Sequence, residues 1–127
     1  MRSSEPSPPF RKKTGVAHLF ASAGYSFDGL RRMLKEAAFR QELLFAIALF
    51  AVLAVRRAET EAYFVQAVFL ILLLAVEALN TAIEVLTDAV SPGYSAFAKQ
   101  SKDLGSFAVF CLLSVNALVT LFFAFLR

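Results

Sequence analysis

The sequence predicts an all-α integral membrane protein with an N-terminal amphipathic surface helix followed by three transmembrane helices. Of its 127 residues, 58% are hydrophobic, which is more apolar surface than a water-soluble domain of this length can bury. The basic residues, which give a formal net charge of +3, stand beside long apolar runs and do not interleave with aromatic residues in a polar domain. This arrangement favours a lipid bilayer and gives no indication of a nucleic-acid partner.

The first element is an amphipathic helix predicted over residues 16–37. Apolar residues recur at steps of three and four along this segment, while Arg31, Arg32 and Lys35 lie elsewhere on the helix surface. The pattern is typical of a helix that lies in the membrane interface. A helix packed on a soluble core is the alternative, but the segments that follow leave no soluble core for it.

Residues 1–14 are predicted to be a flexible tail, and residues 15–127 a single membrane domain. The tail is polar, basic and rich in proline, and it lacks the compact apolar core of a cleavable signal peptide. The only cysteine, Cys111, lies within an apolar run. We therefore expect neither an intrachain disulfide nor a cysteine-based metal site.

Three apolar segments follow the surface helix. They are predicted to span the membrane at about residues 40–57, 62–88 and 105–126. The first is centred on a charge-free run from Leu43 to Val55, and the third carries Ser114, Asn116 and Thr120, which can hydrogen-bond to neighbouring helices. Pro92-Gly93 predicts a loop, or a short interfacial turn, within the stretch "SPGYSAFAKQSKD" between the second and third spans.

The distribution of basic residues predicts the orientation. Eight basic residues precede the first span, and Lys99 and Lys102 follow the second, whereas only Arg56, Arg57 and Arg127 fall on the opposite side. Because cytoplasmic loops carry the excess of Lys and Arg, the N-terminus and the loop between the second and third spans are expected in the cytoplasm.

The second span ends in an unusual polar stretch, "EALNTAIEVLTD", at residues 77–88. Helical steps of three, four and seven residues bring Glu77, Asn80, Thr81, Glu84 and Asp88 to one side. An acidic residue at the centre of a bilayer costs about 2.5 to 3.5 kcal/mol on the insertion scale. We therefore expect this face to meet protein, water or a cation, and not lipid.

This polar face, which we call the stripe, could alternatively serve only to form polar contacts between the helices of an oligomer. That reading needs no carboxylates at both ends of the stripe, and it leaves unexplained the pair Lys102-Asp103 and the carboxylate of Glu36 on the same predicted side. Hard carboxylate oxygens with few histidines suit Mg²⁺ better than Zn²⁺, and Mg²⁺ commonly binds substrate phosphates as well. The residues alone predict a cytoplasm-facing cation or phosphate site, without the glycine-rich loop of common nucleotide-binding folds.

Four motifs carry a resemblance to a known family. The stretches "AGYSFDGL", "EAAFRQE", "EALNTAIEVLTDAV" and "KDLGSFAV" occur in the order and spacing of the prokaryotic diacylglycerol kinase family, which includes undecaprenol kinases. The resemblance runs from about Val16 to the C-terminus, and the first two motifs look like the diacylglycerol kinase branch. It implies a homotrimer in the cell inner membrane with active sites shared between subunits. The implied reaction transfers the γ-phosphoryl group of ATP to the hydroxyl of diacylglycerol and gives phosphatidic acid.

The resemblance also implies roles for individual residues. Glu77 matches the general base, which also contacts the lipid substrate, and Asn80 matches a polar position beside it. Glu36 and Glu84 match the carboxylates that hold Mg²⁺ against the nucleotide. The positions implied to contact the nucleotide are Tyr25, Glu36, Glu84, Lys102 and Asp103. His18 stands at a further such position, although the residue there differs from the family's. The implied positions near the lipid are Arg40 and Ser106.

Three departures from the family pattern affect these expectations. His18 stands where the family commonly has arginine, and Gly93-Tyr94-Ser95 stands where it has Glu-Tyr-His. These two differences fall at positions that the resemblance implies contact the nucleotide. Phe27 replaces a frequent tryptophan, which keeps the apolar body and loses the indole N–H.

Three other functions are compatible with parts of the sequence. An undecaprenol kinase would use the same chemistry on another lipid. A small oligomeric proton or cation pathway would use the acidic residues as a relay, but residues 63–76 continue such a relay only with Tyr63 and Gln66. A purely structural membrane subunit would need none of the acidic residues.

Overall fold

The computed structural model describes residues 14–127, and every regular element within this range is helical. The helices are α1 (Val16–Met33), α2 (Ala37–Val55), α3 (Thr60–Val90) and α4 (Ala96–Leu121), and a π-helical turn (Phe122–Leu126) follows α4. The chain forms two compact units, of which the first ends at Leu34 and the second is Lys35–Arg127. The predicted flexible tail, apart from Thr14, lies outside the described residues.

Helix α1 begins where the sequence predicts it but ends at Met33, before the predicted end at Ala37. Glu36 takes an extended conformation, with φ −78° and ψ 130°, and Ala37 is the first residue of α2. No proline or glycine marks this break in the sequence. The apolar periodicity of the sequence therefore continues beyond Met33, the residue at which the helix ends.

Helices α2, α3 and α4 with its π-helical turn are each long and apolar enough to cross a membrane, which confirms the prediction of three such helices. Helix α3 contains 31 residues. At 1.5 Å per residue this corresponds to about 45 Å, whereas the hydrocarbon layer is about 30 Å thick. Part of α3 therefore extends beyond the hydrocarbon, and both ends of this helix carry acidic residues.

Helix α4 begins earlier than the predicted span, which started at about residue 105. The loop is limited to residues 91–95, and Ser95 caps the helix by accepting a hydrogen bond from the Ala98 amide at 3.1 Å. A salt bridge between Lys99 and Asp103, one helical turn apart, lies on the first part of α4. The second half of the predicted "SPGYSAFAKQSKD" loop is therefore helical.

The core of the second unit lies between α3 and α4, with α2 packed on α3. Its centre consists of Leu49, Leu70, Leu73 and Val109. A smaller cluster of Leu53, Ala62 and Ala124 lies towards the end of α2. Many large apolar side chains on all three helices remain exposed, as a bilayer or a neighbouring subunit would require.

A buried polar network joins α3 to α4. The Gln66 amide donates to Asn116 Oδ1 at 2.9 Å, and Thr120 donates to Gln66 Oε1 at 2.7 Å. The Asn116 amide donates in turn to the carbonyl groups of Phe69 and Leu112. The predicted interhelical roles of Asn116 and Thr120 are thus confirmed, whereas Ser114 bonds to the Phe110 carbonyl of its own helix.

Candidate functional site

The beginning of α2, the second half of α3 and the middle of α4 line a cleft of about 730 Å³, which we call the acidic cleft. Its polar lining residues are Glu36, Gln41, Glu42, Glu77, Asn80, Thr81, Glu84, Ser106 and Ser114. Apolar walls are formed by Phe45, Val109, Phe110 and Leu113. A cleft with this lining fits a ligand that has a charged end and a hydrocarbon part.

The periodicity of α3 explains why its polar residues reach the cleft. Steps of three and four place Leu70, Leu73, Glu77 and Asn80 on the buried face, and Glu77 is only 4% exposed. The exposed fraction of the side chains then increases along the stripe: Glu84 is half-buried and Asp88 is exposed. The predicted common face is confirmed for the first part of the stripe, whereas Asp88 does not line the acidic cleft.

Asn80 links the stripe to α4. Its Nδ2 donates to Glu84 Oε1 at 3.2 Å, and its Oδ1 is buried without a hydrogen-bond partner among residues 14–127. The oxygen faces Gly105, where an added Cβ would overlap it and would lie 3.1 Å from Asn80 Cγ. The absence of a side chain at Gly105 therefore makes room for the amide that contacts Glu84.

Glu42 is a cleft residue that the sequence reasoning did not single out. It is 6% exposed, its carboxyl group adjoins that of Glu77, and its Oε2 has no hydrogen-bond partner within the described chain. A signal was available, because Glu42 falls at helical spacing with Phe39, Leu49 and Leu53, which form the buried face of α2. An acidic residue in register with a buried apolar face has to be accommodated by a polar partner or a ligand.

Glu36 and Glu84, the two predicted metal ligands, both line the acidic cleft. Within residues 14–127, no three side chains of His, Cys, Asp or Glu are arranged to hold a metal ion by themselves. Mg²⁺ commonly takes one or two protein carboxylates and completes its shell with phosphate and water oxygens. The hard oxygen donors fit such an ion only when a phosphate-bearing ligand shares in binding it.

Lys102 and Asp103, two predicted nucleotide contacts, lie in a different place. They line a second cleft of about 450 Å³ together with the 91–95 loop, and this cleft also includes the departing residues Gly93-Tyr94-Ser95. Lys102 Nζ lies 2.6 Å from Asp88 Oδ1, and Asp103 pairs with Lys99. Within one chain these residues therefore adjoin the end of α3 but do not line the acidic cleft.

The remaining predicted residues are distributed unevenly. Ser106 lines the acidic cleft, whereas Arg40 is exposed, is not among the lining residues, and donates to the Lys35 carbonyl at 2.9 Å. Tyr25 and His18 are exposed residues of α1, in the first compact unit. Their roles as nucleotide contacts stay predictions.

Comparison with known proteins identifies the family. The sequence model described as prokaryotic diacylglycerol kinase matches residues 24–124, which includes Tyr25 and leaves out His18. A protein named Diacylglycerol kinase from Sinorhizobium is 48% identical over 109 residues, covering 85% of this chain and 79% of the relative.

Two further relatives carry the same name. The one from Escherichia coli K12 is 38% identical over 106 residues, with 80% of this chain and 84% of the relative covered. The one from Pseudomonas aeruginosa is 38% identical over 111 residues, with 84% and 88% covered. This chain therefore belongs to the prokaryotic diacylglycerol kinase family, and it is a membrane enzyme of the kinase class.

Proposed function

We propose that this protein transfers the γ-phosphoryl group of ATP to the hydroxyl of diacylglycerol and so produces phosphatidic acid. The acidic cleft carries the proposal, because it combines four carboxylates with apolar walls at one end of a membrane helix bundle. The names of the relatives support diacylglycerol as the acceptor, with undecaprenol as the alternative acceptor.

Glu77 is proposed as the general base. It lies deeper along α3 than Glu84, by seven residues or about 10 Å of helix. Its carboxylate can take the proton of an acceptor hydroxyl that enters between the apolar walls, while the carboxyl group of Glu42 beside it fixes its position. A base in this position accelerates the attack of the hydroxyl without any covalent enzyme intermediate.

Glu36 and Glu84 are proposed to bind Mg²⁺ together with the phosphate groups of ATP. Bound there, the ion would neutralise charge on the transferred phosphoryl group. The contact between Asn80 and Glu84 orients one of these carboxylates. The buried Glu42 Oε2, which lacks a partner within residues 14–127, leaves acceptor capacity beside Glu77.

A complete nucleotide site is proposed to need a second copy of the chain. Lys102 and Asp103 match nucleotide contacts but line a different cleft from Glu36 and Glu84 within one chain. Sites shared between subunits of a homotrimer would bring the two sets together. Tyr25 and His18 would then contact the nucleotide from α1, which we propose lies at the membrane surface.

The acceptor lipid is proposed to approach along the apolar side of the cleft. Phe110 is 62% exposed on this side, and the adjoining Ser106 hydroxyl is also exposed. Arg40 would meet the lipid at the polar boundary. We place the protein in the cell inner membrane with the N-terminus and the 91–95 loop in the cytoplasm, where ATP is found.

The test of the proposal is the variant Glu77→Gln, which keeps the size of the side chain and removes the base. Radiolabelled phosphate transfer from ATP to diacylglycerol in mixed micelles should fall about 10² to 10⁴-fold and should require Mg²⁺. Glu61→Gln is the matched control, because Glu61 is exposed at the other end of α3 and pairs with Arg127. Normal turnover by the Glu77 variant would refute its role.

The same assay separates the two acceptors. With diacylglycerol and undecaprenol presented in identical micelles, kcat/KM should be higher for diacylglycerol. A higher kcat/KM for undecaprenol would assign the protein to the alternative lipid. Ion flux without ATP, measured separately, together with no labelling of either lipid would favour the proton or cation pathway.

A further inference from the structure

A cluster of arginines lies at the end of the helix bundle opposite the acidic cleft. The α2–α3 loop and the π-helical turn enclose a cleft of about 300 Å³, lined by three arginines and one acidic residue, Arg56, Arg57, Arg127 and Glu59, together with Phe123 and Phe125. We call it the arginine cleft. None of the proposed catalytic, metal-binding or nucleotide-binding residues lines it, so its charge calls for a separate explanation.

Arg56 is held in place by two contacts on the π-helical turn. Its Nε donates to the Ala124 carbonyl at 2.9 Å, and its guanidinium carbon lies 4.8 Å from the centre of the Phe125 ring. These contacts occupy one nitrogen and one face of the guanidinium group. The terminal nitrogens keep their fixed fork of donors, which matches the spacing of two oxygens on a phosphate.

Arg57 occupies a backbone position that ordinarily belongs to glycine. Its φ is +55°, the Arg57 amide bonds to the Ala54 carbonyl, and the Ala58 amide bonds to the Leu53 carbonyl. This is the Schellman arrangement that ends many helices, with Arg57 in its left-handed position. Glycine takes that conformation without strain, whereas an L-residue with a Cβ pays a conformational penalty there. Ending the helix therefore does not explain an arginine at this position.

The charges around the arginine cleft do not cancel. Arg127 pairs with Glu61 at 2.9 Å and lies 3.9 Å from Glu59. Arg56 and Arg57 have no carboxylate within salt-bridge distance in the part of the chain that the structure describes. The lining of the cleft thus includes two guanidinium groups without a salt bridge, and that of Arg56 is held by its contacts with Ala124 and Phe125.

We propose that the arginine cleft binds the phosphodiester headgroup of a net-anionic phospholipid. A lipid fits better than free phosphate because the cleft adjoins the ends of three apolar helices. Phe125 is 57% exposed and Val55 is 81% exposed next to the two arginines, and both can contact acyl chains. A zwitterionic headgroup carries an ammonium group that would meet three arginines and only one carboxylate, that of Glu59, so the cleft favours net-anionic lipids.

Thermal unfolding of the purified full chain in neutral maltoside micelles tests this site. Dihexanoylphosphatidylglycerol should raise the unfolding midpoint in a saturable manner, because a ligand that binds only the folded state stabilises it. Dihexanoylphosphatidylcholine and inorganic phosphate at the same concentrations should raise it far less. Equal effects of phosphatidylcholine would refute the charge selection, and equal effects of inorganic phosphate would refute a lipid as the ligand.

Arg57→Gly is the decisive variant, because glycine suits the left-handed position and removes the side chain. Its unfolding midpoint without lipid should be unchanged or higher, while the concentration of phosphatidylglycerol for half-saturation should rise about tenfold or more. Arg31→Gln, which removes one charge from α1, should saturate like the unaltered protein. The same half-saturation in Arg57→Gly and the unaltered protein would overturn the proposal. Should that variant not fold, Arg56→Gln has to show the same loss, and retained affinity there overturns the proposal equally.

Discussion

Asn80 is the residue whose surroundings explain most about the acidic cleft. Its Nδ2 contacts Glu84, and its buried Oδ1 occupies the space that a side chain at position 105 would need. The helical repeat of the sequence was enough to predict that Asn80 and Glu84 share a face with Glu77. The close approach of Gly105 was beyond such reasoning, because it depends on how closely α3 and α4 pack.

Gly105→Ala is expected to separate function from stability. Alanine favours a helix over glycine by about 1 kcal/mol, while the added methyl group displaces the Asn80 amide by rotation. The free energy of unfolding should therefore change by about 1 kcal/mol or less, whereas KM for Mg-ATP should rise about tenfold as Glu84 loses its partner. Steady-state kinetics with varied Mg-ATP, together with denaturation in micelles, measure both quantities.

Gly29→Ala is the control for this prediction, because an added Cβ at Gly29 meets nothing within 4 Å. It should leave KM for Mg-ATP unchanged. An unchanged KM in Gly105→Ala as well would mean that the Asn80 amide does not orient Glu84.

Glu42 and Lys102 show where prediction from single residues stopped. Glu42 was overlooked although its helical register with buried apolar residues marks it as unusual. Lys102 was recognised, but its salt bridge with Asp88 spans two helices and fourteen positions of sequence. Periodicity within one helix cannot reveal such a pair, since it depends on the relative rotation of α3 and α4.

The helices themselves were easier to predict than their ends. The apolar composition of α2, α3 and α4 was sufficient to identify three candidate spans. The break before Ala37 carries no glycine or proline, and the early start of α4 at Ala96 depends on the capping contact of Ser95. The start of α4 thus depends on a short polar contact that an average over hydropathy does not register.

The pairing of α3 with α4 is expected to depend on the Gln66 and Asn116 side chains. Gln66→Leu alone leaves buried groups of Asn116 and Thr120 without partners and should cost about 1 to 3 kcal/mol of unfolding free energy. Gln66→Leu combined with Asn116→Leu should cost less than the two single changes added together. The expected coupling is about 0.6 to 1.7 kcal/mol, as for other hydrogen bonds between membrane helices.

Reversible unfolding in mixed micelles measures the four corners of this cycle. The pair Ser114 and Phe110 serves as a comparison, because Ser114 bonds within its own helix, so that Ser114→Ala should not couple to Gln66→Leu. Strictly additive effects of Gln66 and Asn116 would show that the network does not hold the helices together.

At the scale of the whole molecule, the orientation in the membrane decides whether the acidic cleft can reach ATP. The exposed cysteine is first removed by Cys111→Ser. In that background Tyr94→Cys, at a position that is 90% exposed in the 91–95 loop, should react with a membrane-impermeant reagent only after permeabilisation. A cysteine at Glu59, in the α2–α3 loop, should react in intact spheroplasts. The reverse labelling pattern would place the acidic cleft on the side without ATP and contradict the proposed reaction.

Assembly is the last property on which the proposed reaction depends, because Lys102 does not line the cleft that holds Glu77 within one chain. If each site takes Glu77 from one subunit and Lys102 from its neighbour, Glu77→Gln and Lys102→Gln variants are each inactive but complementary. In a randomly mixed ring at equal amounts, about a quarter of the sites receive both intact residues. Refolding the two variants together should therefore restore about a quarter of the normal lipid phosphorylation, whereas sites contained within single chains would give no recovery.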